Sequence, residues 1–173
     1  MESGEEYRFT FLKEEIVAVT KRVKAHIIGD GRSSIEQLIE QKNSARLQRN
    51  NPIHKPIKIN KELRNVIKEQ GFDVESIPEI GQKVQLSKKM NIVNGAEALD
   101  YTDKIPDSIK KTVAKAASSI PGLRIAGMDV LVNEGEAIII EINADPNLLM
   151  HEYPWEGKSR NVISQMLDVM FNI

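Results

Sequence analysis

Apolar positions along the chain alternate in two places and recur at helical spacing in four. "YRFTFL" and "IVAVTKRV" are β-branched and aromatic runs separated by "KEE", which predicts a β-hairpin. A second hairpin is predicted where "RIAGMDVLV" and "AIIIEIN" flank "NEGE". Between the hairpins, "SIEQLIEQKNSARL" sets Ile35, Leu38 and Ile39 on one helical face, with Ser33 or Ser34 as N-cap. "KELRNVIKEQG" predicts a helix closed by Gly71. "IPDSIKKTVAKAASSI" predicts another, with Pro106 near its start and Ile109, Val113 and Ala117 inward. "SRNVISQMLDVMF" closes the chain as an amphipathic helix that turns Val162, Ile163, Met166, Leu167 and Met170 inward. "KVQLS" reads as a short strand and "NIVNGAEALDYTD" as a loop. The order β-β-α-α-(β)-α-β-β-α predicts an α+β fold, an antiparallel sheet with flanking helices. Residues 1–173 are taken as one domain, with 32–86 as its less regular helical lid or insertion.

Composition narrows the chemistry. The 173 residues are 40% hydrophobic, enough to bury a core, and the charges nearly cancel at a formal net of −1. The absence of cysteine excludes thiol catalysis, disulfides and thiolate metal sites. No run approaches the ~18 apolar residues of a membrane span, and "MESGEEYRF" lacks a signal-peptide core, so a cytoplasmic protein with no membrane partner is expected. The stretch 42–68 holds eight Lys or Arg against one Glu. It has no interleaved aromatics, so nucleic-acid binding is disfavoured; a solvated face, or a surface steering an acidic or polyanionic substrate, fits better.

The sharpest chemical signal is where apolar strands stop on oxygen. In "AIIIEINADPN" Glu141 and Asn143 share a face, and "IAGMDVLV" carries Asp129 on the partner strand. A turn of three or five residues puts Asp129 opposite Glu141; a turn of two or four puts it opposite Ile140 and disperses the group. If they meet, direct cross-strand neighbours lie ~4.5–5.5 Å apart at Cβ. Two carboxylates that close repel unless a cation neutralises them. Hard oxygen ligands without His or Cys favour Mg²⁺ or Mn²⁺, and magnesium completes its shell with water and phosphate, which points to a nucleotide. The plainer alternative is that Glu141 and Asn143 leave the sheet into solvent and Asp129 is a strand-edge charge.

"AGMDVLV", then "AIIIEINADPN", then "GKSRNV" resembles the C-terminal half of the ATP-grasp ligases. "EYRF", "IVAVTKRVKAHIIGDGRSSIEQLIEQKN" and "NIVNGAEALDYTDKIP" are similar to the matching part of cyanophycin synthetases and of bifunctional glutamate–cysteine ligase/glutathione synthetases. The resemblance implies an ATP-dependent carboxylate–amine ligase domain, of the peptide-bond-forming type, working through an acyl-phosphate with ATP and Mg²⁺ or Mn²⁺. It makes Asp129, Glu141 and Asn143 metal ligands, and Arg8 and Arg22 catalytic cations. Gly29, Gly31 and Asn91 become nucleotide-binding positions in two loops. Lys24 stands where the family has proline, Val93 where it has serine and Ala96 where it has a second glycine. An amino-acid or peptide substrate is implied, with a separate N-terminal ATP-grasp half completing the site. The alternative is a catalytically silent binding or scaffold domain of the same fold. "GDG" alone also reads as a plain turn, and His26, His54 and His151 lack metal-ligand spacing.

Overall fold

The computed structural model describes residues 4–171. The chain divides into two compact units. One takes in the first two strands through Arg22 together with the chain from Ala98 onward; the other is Val23–Glu97.

The first unit is built on a five-stranded sheet of order β5-β2-β1-β6-β7. Its strands are β1 (Glu5–Leu12), β2 (Glu15–Val23), β5 (Glu97–Asp100), β6 (Ile125–Asn133) and β7 (Glu136–Asn143). β1 pairs antiparallel with β2 and with β6, and β6 pairs antiparallel with β7. Both hairpins turn on two residues at positive φ, Lys13–Glu14 and Glu134–Gly135, the twist that matches right-handed strands. One face of the sheet carries Tyr7, Phe9, Phe11, Val19, Met128 and Val130 into the core. Helix α3 (Asp107–Ser118) covers it with Ile109, Val113 and Ala117, the residues its helical spacing selects. On the opposite face Ala18 packs with Leu148 and Val162. Leu148 leads into α4 (Leu149–Glu152), and Val162 opens α5 (Val162–Phe171).

Three expectations for this unit are corrected. Only Val162 of the closing helix is buried; Ile163 and Met166 are half-buried, whereas Leu167 and Met170 are exposed. The isoleucines of β7 do not all enter the core, because β7 is the sheet edge. Ile139 and Ile142 pack inward, and Ile138 and Ile140 are exposed. Part of the segment read as a loop is a strand, β5.

Residues 153–161 are fastened to the sheet rather than left free. Trp155 donates its backbone N–H to Ala98 (2.7 Å), and Leu99 bridges Glu156 in parallel. Arg160 then spans Asp100 and Asp103, donating from Nη2 to Asp100 Oδ2 at 2.5 Å and to Asp103 Oδ2 at 2.8 Å. Burial raises the Asp100 carboxyl, but hydrogen bonds from Arg160, Thr102 and Lys158 outweigh it and hold it at about 2.

The second unit contains β3 (His26–Ile28) paired antiparallel with β4 (Lys83–Gln85), and helices α1 (Ile35–Arg49) and α2 (Lys61–Lys68). Ser34 caps α1 in a reciprocal box with Gln37, and Asn60 caps α2. Ile35, Leu38, Ile39, Leu63, Ile67 and Val84 share its core. The basic stretch is not wholly a solvated face. Arg46 is 1% exposed, and it and Lys42 close on Glu97 at 3.2 and 2.9 Å. His54 is buried too, and burial beside Arg46 pushes it down to about 4.

Candidate functional site

The face of the first unit's sheet opposite α3 carries a polar row. Backbone register sets Thr20 beside Arg8, Arg8 beside Asp129, and Asp129 beside Glu141. The hairpin turn has two residues, which by simple alternation would bring Ile140, not Glu141, to Asp129. A β-bulge supplies the correction. Val130 pairs with Ile139 but Asp129 pairs with Glu141, so Ile140 is the extra residue. Asn143 follows on the same strand opposite Gly127. Its side-chain oxygen accepts the Asp145 N–H at 2.8 Å, which folds back the following loop.

Asp129 is held by two cations. Arg8 donates from Nε to Oδ1 at 2.5 Å and from Nη2 to Oδ2 at 3.1 Å. Arg22 lies 3.1 Å from Oδ2 and also pairs with Glu6. All three side chains are largely buried, at 11%, 15% and 13% exposure for Arg8, Arg22 and Asp129. Burial raises the Asp129 carboxyl, yet Arg8 and then Arg22 more than offset it, leaving it below its ordinary value. The Arg22 Nε is buried and has no hydrogen-bond acceptor among the described residues. A buried guanidinium donor left open calls for an anionic oxygen.

Gly127 makes room for this arrangement. A Cβ there would lie 2.7 Å from Pro146 Cβ and 3.1 Å from Arg8 Nη1. Gly127→Ala is therefore expected to displace Pro146 or Arg8 and cost about 1–3 kcal/mol. Urea unfolding reads the loss, and the Arg8 Nε–H resonance reads whether the fork to Asp129 loosens; an unchanged resonance and midpoint would show that the space is not needed.

Beneath the row sits His151, 2% exposed. Its Nε2 is 2.7 Å from Thr10 Oγ1 and its Nδ1 is 2.8 Å from Thr20 Oγ1, so it clasps the two strands that carry the arginines. Burial, with the charge of Arg8 added, holds it down at about 3 and hence neutral. Gly127, Glu6 and the two threonines have no signal in the sequence, because their roles come from register across strands distant in the chain.

Of the sequence-predicted residues, Arg8, Arg22, Asp129, Glu141 and Asn143 fall on this one sheet. Gly29, Gly31 and Asn91 belong to the second unit. There the Gly29 N–H donates to Gln82 (2.8 Å) and the Gly31 N–H to Pro78 (3.2 Å), so these amides already have acceptors. A Cβ on Gly29 would fall 2.2 Å from the Glu79 carbonyl, which explains that glycine by close backbone approach. Asp30 between them accepts from Ser33 and Arg32 and is held at about 2 by those bonds. The Asn91 carbonyl accepts from Asn94 and Ala96 in a short 3-10 turn.

Among the described residues no group of three or more His, Cys, Asp or Glu could hold a metal. The donor set here is instead two carboxylates and an amide oxygen, which suits a hard divalent cation that keeps part of its shell as water or phosphate. Asp129 has lone pairs to share, provided Arg8 yields one oxygen.

The antiparallel sheet with flanking helices has structural neighbours of the ATP-grasp type, and the chain is similar over nearly its whole length to bifunctional glutathione biosynthesis proteins and cyanophycin synthetases. It is 36% identical to the glutathione biosynthesis bifunctional protein GshAB of Clostridium perfringens over 98% of its length, covering 23% of that protein. It is 33% identical to the cyanophycin synthetase of Geminocystis herdmanii, over 97% of this chain and 20% of that one. The crystal structure of a bifunctional glutathione synthetase from Pasteurella multocida superposes with a TM-score of 0.82 at 30% identity, over 99% of this chain and 25% of that one. The chain thus spans only 20–25% of the length of these relatives. No family model matches it. No helix among the described residues is long and apolar enough to cross a membrane.

Proposed function

We propose that this chain supplies the metal-binding wall of the ATP site in an ATP-dependent carboxylate–amine ligase. The observation that carries the reading is the cross-strand row in which Arg8, Asp129 and Glu141 are direct neighbours, with Arg22 on the same carboxylate. In this chemistry a substrate carboxylate oxygen attacks the γ-phosphorus of ATP and ADP leaves. An amine then attacks the acyl carbon and phosphate leaves, with loss of the amine proton. Bound Mg²⁺ or Mn²⁺ offsets the charge on the phosphate oxygens. Asp129, Glu141 and Asn143 would hold the ion. Arg8 and Arg22 would turn guanidinium donors to the transferring phosphoryl group, and Arg22 has one donor already open to it. Rigid support comes from His151 and its two threonines, which fix the arginine-bearing strands. The substrates are of amino-acid or peptide type, the remaining ATP-binding half lies in sequence beyond these residues, and the setting is cytoplasmic.

One feature favours a second reading, a silent scaffold of the same fold: both oxygens of Asp129 are already taken by arginines. Mn²⁺ titration with paramagnetic NMR broadening separates the two. Broadening centred on residues 129, 141 and 143 is expected. If those resonances are untouched while Mn²⁺ acts elsewhere, the metal wall is wrong. ATP turnover by the chain together with its N-terminal half is then the test of ligase against scaffold.

A further inference from the structure

The basic stretch that the catalytic reading leaves unused forms part of a separate pocket within the second unit. Its volume is about 380 Å³. Ile57, Leu63 and Leu86 line it and are each at most 7% exposed, giving it an apolar floor. Lys55, Lys58 and Asn60 stand at its rim.

The rim is held from beneath. Asn43 of α1 grips the backbone of Ile57 twice, accepting its N–H at 2.6 Å and donating to its carbonyl at 2.8 Å. Arg46, fully buried, donates from Nη1 to the Lys55 carbonyl at 2.9 Å. The two lysines therefore project from a pinned backbone, although the segment 50–60 has no regular structure.

Charge is left over at this rim. Lys42 and Arg46 are spent on Glu97, and the one acidic lining residue, Glu62, is neutralised by Lys89 at 3.0 Å. Among the described residues, neither the Lys55 nor the Lys58 ammonium has an acidic partner. An apolar floor beneath two unspent ammonium groups complements a ligand with a short aliphatic body and carboxylate ends. A bare phosphate would satisfy the charges and waste the floor.

We propose that this pocket binds a free aliphatic dicarboxylate. The proposal goes beyond the metal wall and does not depend on it, since its residues all lie in the second unit. The test is an NMR titration of the full chain with glutarate and, separately, with inorganic phosphate. Saturable shifts at the amides of Lys58, Ser87 and Asn94 are expected with glutarate, tighter than with phosphate and weakening as salt is raised. The double variant Lys55→Gln/Lys58→Gln should bind glutarate about tenfold more weakly, the scale of one charge-assisted hydrogen bond. The variant Arg64→Gln/Lys68→Gln, on the exposed flank of α2, should bind as the parent does. Equal affinity for phosphate and glutarate, equal loss in both variants, or no saturable shift would each overturn the proposal. Mn²⁺ broadening at 129 and 141 is read in the same spectra, so failure of the pocket and failure of the metal wall remain distinguishable.

Discussion

Lowering the pH from 7 to 5 is expected to destabilise the chain steeply, through two histidines. His151 and His54 are neutral in the folded state, held at about 3 and about 4, against ~6.5 in an unfolded chain. A depressed folded pKa means the unfolded state binds the proton first. The stabilisation is thus complete above pH ~6.5 and is lost as pH falls toward the folded values. Each histidine contributes a slope of about 1.4 kcal/mol per pH unit within that window. Urea unfolding at pH 7, 6 and 5 measures the sum. His151→Gln, which keeps a polar side chain between Thr10 and Thr20, should be less stable at pH 7 but remove one proton from the slope. An unaltered slope in that variant would mean His151 is not the buried neutral group described.

Arg8→Met should produce the second large effect. It leaves the largely buried Asp129 carboxylate with Arg22 alone, and breaking a buried pair by removing one partner is strongly unfavourable. A loss of about 2–3 kcal/mol at pH 7 is expected, at the lower edge for such pairs because Arg22 remains. The pH dependence has a definite sign. Asp129 is depressed in the fold, so its pairing contributes above the unfolded carboxylate value of ~3.9 and is lost as pH falls through the folded one. Parent and variant should therefore converge in acid. At pH 7, Mn²⁺ should recover part of the variant's loss, because the ion and Arg8 neutralise the same oxygens. A uniform deficit at every pH, indifferent to Mn²⁺, would assign Arg8 to packing alone.

Much of the architecture is legible in the pattern of apolar residues. Ile109, Val113 and Ala117 lie inward as their spacing requires, and both hairpins form. Ser34 caps its helix because a hydroxyl before an apolar run meets an open N–H. What the pattern lacks is sheet order, since alternation says which face a residue takes and nothing about which strand ends at an edge. That is why Ile138 and Ile140 look like core and are not. The same gap hides β5, a short strand with a polar sequence that is paired by its neighbours rather than by its own preference. Arg46 is invisible as core for the converse reason: a guanidinium is buried only where a distant acid, here Glu97, receives it. At the candidate site the three oxygen-bearing residues and both arginines can be named from local strings. Their convergence cannot, because it passes through a bulge whose position no local string marks.

That bulge has a consequence for chain length. Ile139 faces the core and Glu141 faces Asp129, with Ile140 inserted between them as an uncounted residue. A chain lacking Ile140 would keep both neighbours on their proper faces, since core and site positions would then simply alternate. Removing one residue from 136 to 139 also leaves Asp129 opposite Glu141 by simple alternation, but it brings Ile140 in place of Ile139 to the core face. Homologous chains one residue shorter anywhere in this arm of the hairpin are therefore compatible with an intact carboxylate pair, without the bulge.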